Sequence, residues 1–325
     1  MLISIIVCTY GRAEALIRLL GCLAGQAAAD FEVLIVDGSG ENPSVRVAFA
    51  AFLREHPSMS ASMRLIGSAK GLTRQRNIGI DLARGDLLCF LDDDVTMEPG
   101  FLRQLAELFA RPDFAGVGGM TAYDLQNYPT PLTLKWRLRR LFRIVPALVP
   151  GAIDRLGRGI PVSFLKPFSG VREIGYLPGF CMIYRRPAIG TLRFDEQLPT
   201  YGGEDRDFSF RAGQSARLLI CGDLRVKHHY AQQSRDSDVQ RIYQDGFGSG
   251  RMFAKHARRS DRIQLIHFLL FDALVNLVGV VREPSFARLR SAVARTRGIA
   301  AGFRSWVDGN KRTEPVASRV TEEMG

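Results

Sequence analysis

Acidic residues are in deficit in this chain of 325 residues: 33 Asp and Glu stand against 44 Lys and Arg, a formal charge of +11. That balance favours an anionic partner such as nucleic acid, anionic lipid or a phosphorylated substrate. Cysteine is scarce. Cys8, Cys22, Cys89, Cys181 and Cys221 form an odd set with no C-x-x-C pair, which argues against a disulfide framework or structural zinc and fits a reducing compartment. They read as small, mostly buried apolar side chains. No G-x-x-x-x-G-K-[ST] loop is present, and no G-x-G-x-x-G follows the first apolar run; the usual phosphate and dinucleotide loops are thereby excluded. Gly246-Phe247-Gly248-Ser249-Gly250 is rich in glycine but falls late, in a helical context. No basic segment precedes Leu2–Val7, so no secretory signal is read and a cytoplasmic location is expected.

What is there is ordinary globular material: 46% hydrophobic and 24% charged residues, enough to bury a core. The length fits one large domain, or a domain plus an extension. Ile3–Cys8, Phe31–Val36, Arg64–Ile66 and Leu87–Leu91 are short apolar runs. Ala13–Gln26, Val45–Glu55 and Thr73–Arg84 between them carry apolar residues at helical spacing. Strands alternating with crossover helices predict an α/β fold with a mostly parallel sheet covered on both faces. Ligands in such sheets sit beyond the strands' carboxyl ends, where Thr9-Tyr10, Asp37 and Asp92-Asp93-Asp94 fall. Further on, a helix is expected at Phe101–Ala110 and strands at Ala115–Tyr123, Tyr176–Arg185 and Leu218–Val226, with 124–175 irregular.

The acidic triplet at the end of a buried strand is the strongest chemical signal. Three adjacent carboxylates repel one another unless a cation neutralises them, and Mg²⁺ is commonly held by one or two carboxylates plus substrate phosphates. A solvated acidic turn is the alternative reading. Gly203-Glu204-Asp205 reads either as the capping of a helix start or as a general base beside a hydroxyl nucleophile. Lys70, Arg74 and Arg76 open a helix and suit a diphosphate, or else line an ordinary basic surface. One imidazole of His228-His229 can complete a metal shell, or both can be structural.

The ordered set Ser4-Ile5-Ile6-Val7-Cys8-Thr9-Tyr10, Val36-Asp37-Gly38-Ser39, Arg76-Asn77-Ile78-Gly79, Leu91-Asp92-Asp93-Asp94 and Gly203-Glu204-Asp205 resembles glycosyltransferase family 2. These are inverting nucleotide-sugar enzymes of the GT-A fold, and the resemblance covers roughly residues 1–260. It implies a Rossmann-like, mostly parallel mixed sheet with helices on both faces, and a single displacement at the anomeric carbon. Thr9, Tyr10 and Asp37 are then expected at the nucleobase, Arg76 by the nucleotide, and Asp92 and Asp93 at the ribose and diphosphate. Asp94 is expected to bind Mg²⁺ or Mn²⁺, with His228 completing the shell, to offset charge on the departing diphosphate. Asp205 is the expected base, with Glu204 and Gly179 beside the acceptor. Two departures stand out: Gly38 replaces a second acid after Asp37, and the triplet is D-D-D rather than D-x-D with a neutral middle.

The expected organisation is a catalytic domain over 1–240, divided near 120 into nucleotide and acceptor halves, a basic helical extension over 241–307 and a flexible tail over 308–325. Ile263–Val281 is apolar save for Gln264, His267, Asp272 and Asn276. It reads as a helix packed on the domain, as one crossing a membrane, or as one lying in the membrane interface between Arg258, Arg259, Arg262 and Arg282. The basic stretch Lys135–Arg143, with Trp136 and Phe142, favours the last of these. The expected activity is a metal-dependent transfer from a UDP- or dTDP-sugar to a glycan or polyprenyl-diphosphate-linked acceptor in cell-surface polysaccharide synthesis. It is expected at the inner face of the membrane, without nucleic acid. The rivals are a sugar-phosphate nucleotidyltransferase, for which Thr9-Tyr10-Gly11-Arg12 is a poor phosphate loop, and a non-catalytic binder of anionic polymers, for which the basic segments interleave too few aromatics.

Overall fold

The computed structural model describes residues 1–26, 30–127, 131, 134–145, 147–154, 157–229, 238–282 and 284–313. The chain splits into two compact units. Met1–Asp154, Arg158–Thr200 and Glu204–Arg235 make the first; Arg155–Gly157, Tyr201–Gly203 and Asp236–Gly325 make the second.

The first unit opens with β1 (Ile3–Thr9), α1 (Ala13–Ala24), β2 (Phe31–Asp37), α2 (Ser44–Glu55), β3 (Met63–Gly67), α3 (Leu72–Leu82) and β4 (Leu87–Asp92). It continues through β5 (Val95–Met97), α4 (Phe101–Ala110), β6 (Val117–Asp124), α5 (Leu134–Leu141), β7 (Val171–Glu173), β8 (Cys181–Arg185), α6 (Arg186–Ile189), α7 (Glu204–Ala212) and β9 (Arg217–His228). Among the described residues these strands form one sheet in the order β3-β2-β1-β4-β8-β6-β9-β5, with β7 on β9. Strands β1 to β4 are parallel, whereas β8 runs antiparallel to both β4 and β6. The expected halves on either side of residue 120 therefore share a single sheet.

Neighbouring side chains on a strand point to opposite faces. Ile3, Ile5 and Val7 accordingly join Leu16, Leu19, Leu20 and Leu23 of α1 in one core, while Ile6, Leu34, Leu88 and Phe90 face a second. The second core contains an aromatic cluster: Phe194 stacks on Phe208 at 4.0 Å between ring centroids, and Phe90 meets Phe194 edge-on at 5.4 Å. Gly79 lets α3 lie directly on β1, since a Cβ there would stand 2.3 Å from Ile6 Cγ2. Each large apolar side chain fully buried in these layers stabilises by about 1.5–3 kcal/mol.

Three expectations need correction. The strand foreseen over Tyr176–Arg185 begins only at Cys181, because Pro178 has no N–H to give a ladder and its carbonyl closes a turn onto Cys181 N at 3.1 Å. The strand foreseen at Leu218–Val226 extends to His228, which puts that imidazole on the sheet itself. The stretch 124–175, expected to be irregular, contains α5 and β7; both are too short for periodicity to reveal.

The second unit holds α8 (Asp238–His256), α9 (Arg262–Arg282) and α10 (Phe286–Thr313). It begins at Asp236 rather than 241, and α10 runs into the expected tail, of which 314–325 lie outside the described residues. The glycine-rich stretch set aside in the sequence is a helix contact. A Cβ at Gly246 or Gly250 would meet the backbone carbonyl of Arg295 or Ile299, and one at Gly298 or Gly302 that of Tyr243 or Phe247, all within 2.5 Å. Glycines four apart on both helices thus let the α8 and α10 backbones touch.

Candidate active site

The register of the parallel strands brings the expected residues to one level. Thr9 pairs with Asp37 across β1 and β2, and Cys8 with Asp92 across β1 and β4. The carboxyl ends of three strands therefore present Thr9, Asp37 and the acidic triplet along one edge. Immediately after the triplet, β5 pairs antiparallel with β9, setting Val95 opposite His228. That pairing carries a distant histidine to the acidic turn.

The turn between β4 and β5 separates the three carboxylates. Asp92 and Asp94 lie with His228, their candidate ligand atoms all within 4.8 Å of one another. Asp93 turns the other way and is 2% exposed. It accepts a hydrogen bond from Thr9 Oγ1 at 2.8 Å and pairs with Arg12 Nη1 at 2.8 Å. Burial nevertheless pushes its carboxyl up to about 7. Asp94 pairs with Arg12 Nη2 and, at 3.0 Å, with His228 Nε2. Burial works against its charge, but His228 and Arg12 outweigh it and hold the carboxyl below its ordinary value. The same contact raises His228 against its own burial. A set of two carboxylates and an imidazole has the chemistry to hold Mn²⁺ or Mg²⁺. The D-D-D triplet is in effect a D-x-D whose middle acid faces the interior.

The second acidic cluster reaches the first through one side chain. Arg76, on α3, is buried, and its Nη1 pairs with Glu204 Oε1 at 3.1 Å. Its Nη2 lies 3.5 Å from Asp92 Oδ1 and donates to Gly179 O at 3.0 Å. The loop before β8 closes the arrangement: Gly179 N donates to Asp205 Oδ2 at 3.1 Å, and Phe180 packs its ring against His228 with centroids 5.4 Å apart. A Cβ on Gly179 would stand 3.3 Å from Arg76 Nη2, so the smallest residue suits this crossing. Glu204 and Asp205 occupy the first turn of α7, where the helix dipole favours an anion. Burial outweighs that at Glu204: with Asp205 adjoining, its carboxyl is pushed up to about 7, Arg76 notwithstanding.

At the far side of the edge, Tyr10 is half exposed, with Lys70 Nζ 4.4 Å from its ring centroid. Asp37 Oδ1 accepts from Ser39 N at 2.9 Å and from the Ser39 hydroxyl. The basic run read as a diphosphate cradle divides instead. Lys70 lies over Tyr10, Arg74 pairs with Glu196 at 3.2 Å and Arg76 is spent on Asp92 and Glu204. Lys70 precedes α3, and helical spacing sends Arg74 and Arg76 in different directions. Thr9, Arg76 and Asp93, expected at the nucleotide, engage protein partners with their side-chain polar atoms.

Some participants escaped the sequence reading. Arg12 was seen only as part of a turn, although it neutralises both Asp93 and Asp94. Gln75 Nε2 donates to Thr9 O at 2.9 Å and Val36 O at 2.7 Å, tying the ends of β1 and β2. A Cβ at position 38 would come within 3.2 Å of that amide, which gives a steric reason for Gly38 where a second acid was expected. Of the histidine pair, His229 instead faces Thr96 Oγ1 at 2.8 Å. The five cysteines are free, three of them buried.

Residues 4–193 match the family model for Glycosyl transferase family 2. Among curated relatives, the amylovoran biosynthesis glycosyltransferase AmsB of Erwinia amylovora is 30% identical over 217 residues, covering 64% of this chain and 63% of its own. The chain spans less than two thirds of the length of the curated relatives it matches first. Among solved structures, the mannosyltransferase PcManGT of Pyrobaculum calidifontis, in complex with GDP-Man and Mn²⁺, superposes with a TM-score of 0.53 at 13% identity, covering 99% of this chain and 79% of that one. TarS 1-349 of S. aureus, in complex with UDP-GlcNAc, gives 0.51 at 15% identity, with 97% and 93% covered. These likenesses bear out the expected GT-A type of α/β fold. With more than half its length matched by the family model, the chain belongs to glycosyl transferase family 2.

Proposed function

We propose that this chain is a metal-dependent inverting glycosyltransferase. It moves a sugar from a UDP- or dTDP-sugar to a hydroxyl of a glycan or polyprenyl-diphosphate-linked glycan, in cell-surface polysaccharide synthesis at the cytoplasmic face of the membrane. The observation that carries this reading is the Arg76 guanidinium, which touches Asp92 on one side and Glu204 on the other and so joins the two acidic loops. Complexes of structural neighbours with UDP-GlcNAc and with GDP-Man and Mn²⁺ support a nucleotide-sugar donor.

In this reading Thr9, Tyr10 and Asp37 border the nucleobase. Asp92, Asp94 and His228 would hold a divalent cation, which would supply positive charge against the departing diphosphate. Asp93 works from behind: through Thr9 and Arg12 it fixes the turn that aims Asp92 and Asp94. Asp205, half-buried and oriented by Gly179 N, takes the proton of the acceptor hydroxyl as that oxygen attacks the anomeric carbon. The bond from that carbon to the diphosphate oxygen breaks, its electron pair leaves with the nucleoside diphosphate, and the configuration inverts. Glu204 and Gly179 border the acceptor, and Arg76 holds both loops at working distance.

Peripheral attachment to an anionic membrane is part of the proposal. The exposed side chains of the α5 segment mix Arg137, Arg140 and Arg143 with Leu138, Leu141 and Phe142; of the expected basic stretch, the Lys135 side chain lies outside the described residues. The nucleotidyltransferase rival gains nothing from the loop after β1, whose Arg12 is engaged by Asp93 and Asp94.

A thermal-shift panel of UDP-, dTDP- and GDP-sugars with and without Mn²⁺ tests the donor. Stabilisation by a UDP- or dTDP-sugar that needs the cation is expected, and none in any combination would refute the reading. Asp205→Asn separates chemistry from binding. Transfer should fall by about 10²–10⁴ while donor affinity stays near wild type; retained turnover would remove Asp205 from the role of base.

A further inference from the structure

Helix α9 turns every polar side chain of its apolar run to one side and none to the other. Gln264, His267, Asp272 and Asn276 are half-buried. Asp272 accepts from Asn276 Nδ2 at 3.1 Å and pairs with Arg295 of α10 at 2.8 Å, and Arg295 in turn pairs with Asp245 of α8. The opposite face carries Ile263, Ile266, Leu270, Leu274, Leu277 and Val281, spaced by three and four residues and each 54% to 71% exposed. An uninterrupted apolar stripe about 27 Å long on a folded helix is larger than solvent exposure ordinarily tolerates.

The charges around it identify the occupant. Arg258, Arg288, Arg290, Arg297 and Arg304 are exposed in the surrounding segments. The side chains of Arg259, Arg262 and Arg282, also expected to flank the helix, lie outside the described residues. Between residues 257 and 304 the carboxylates among the described residues are Asp261, buried and accepting from Arg258 N, and Asp272, already paired. A second copy presenting this same face would oppose one arginine-rich margin with another and, within 257–304, offer no exposed described carboxylate in return. An anionic bilayer offers acyl chains to the stripe and phosphates to the arginines.

We infer that the outer face of α9 is a membrane-docking surface, lying in the plane of an anionic phospholipid interface. The inference rests on the peripheral-attachment reading above and names the surface responsible. With 21 residues, α9 is long and apolar enough to cross a bilayer. A crossing helix would carry Asp272, with its ties to Arg295, into the acyl region. A flat one keeps that seam within the protein and immerses only the apolar face.

Flotation of the full chain with phosphatidylcholine vesicles, with and without phosphatidylglycerol, tests this. Wild type should float with the anionic vesicles, and added salt should weaken binding without abolishing it. Leu270→Glu/Leu274→Glu should lower vesicle affinity by about tenfold or more, while Val47→Glu, an exposed apolar position on α2, should leave it unchanged. Leu270→Trp provides a readout that keeps the surface apolar: its fluorescence should be quenched by acyl-brominated lipid, and that of Gln264→Trp should not. If wild type floats and the double glutamate variant floats equally, α9 is not the surface, although peripheral attachment stands. If wild type does not float with any vesicle, both readings fall. A wild-type dimer by light scattering that the glutamates dissociate, without flotation, would instead assign the stripe to a second copy.

Discussion

Glu204 makes the most quantitative demand on the active-site geometry. Its carboxyl is buried 3.1 Å from a guanidinium, yet is pushed up to about 7 from an ordinary 4.5. Burial is the main cause, and the adjoining Asp205 adds to it. Arg76 cannot fully compensate, because the same guanidinium also serves Asp92 and the Gly179 carbonyl. The folded chain thus keeps this proton to a higher pH than the unfolded chain does. Between the two values the native state binds more protons, so stability falls as pH rises. The contribution is fully present below about 4.5 and lost as pH passes through about 7. At about 1.4 kcal/mol per pH unit, the window is worth on the order of 3 kcal/mol.

Glu204→Gln removes the titration while leaving an amide that still accepts from Arg76. Urea unfolding of both proteins across this pH range, followed by circular dichroism, isolates the residue as a difference between two curves. Groups that do not touch Glu204, including Asp93, cancel in that difference. Wild type should lose about 3 kcal/mol relative to the variant between acid and neutral pH, or about 1 M in urea midpoint at a slope of ~3 kcal/mol/M. A difference curve flat to within ~0.5 kcal/mol would mean that Glu204 titrates as it does in the unfolded chain. The buried tie between the acidic loops would then be wrong.

Asp94→Ala should weaken Mn²⁺ binding, read by the loss of free-ion paramagnetic resonance, by at least about tenfold; His228→Ala should do so by about 10–100-fold, and an unchanged affinity in either would remove that residue from the metal set. Arg12→Gln should tighten Mn²⁺ binding without nucleotide, because the guanidinium on Asp93 and Asp94 competes for the same negative charge; calorimetry showing equal or weaker binding would count against this. Gly79→Ala should destabilise by about 1–3 kcal/mol by forcing α3 off Ile6, and Ile6→Ala in the same chain should recover part of that in chemical denaturation.

Parallel strands buried on both faces announce themselves as continuous apolar runs, which is why β1, β2 and β4 were legible within a residue or two of their ends. Their carboxyl ends followed, and with them Thr9, Asp37 and Asp92. The antiparallel half was harder to read. The three-residue β5 and β7 are too short for any period, and the turn signal of Pro178-Gly179 falls inside the longer strand expected there. The consequence for the site is specific. His228 joins Asp94 only because β5 and β9 pair in one register, and a slip of one residue would turn His229 toward Asp94 instead. The triplet shows the same dependence. As a string it is three equivalent acids; in the turn after β4 it becomes two that lie with His228, of which Asp94 also pairs with Arg12, and a middle one held by Thr9 and Arg12. Arg76 was legible as a site residue but not in its role, since pairing across 128 residues of sequence is a property of packing. A cation that links two acidic loops in this way fixes the cleft before any ligand arrives, so donor binding need not pay the entropy of assembling it.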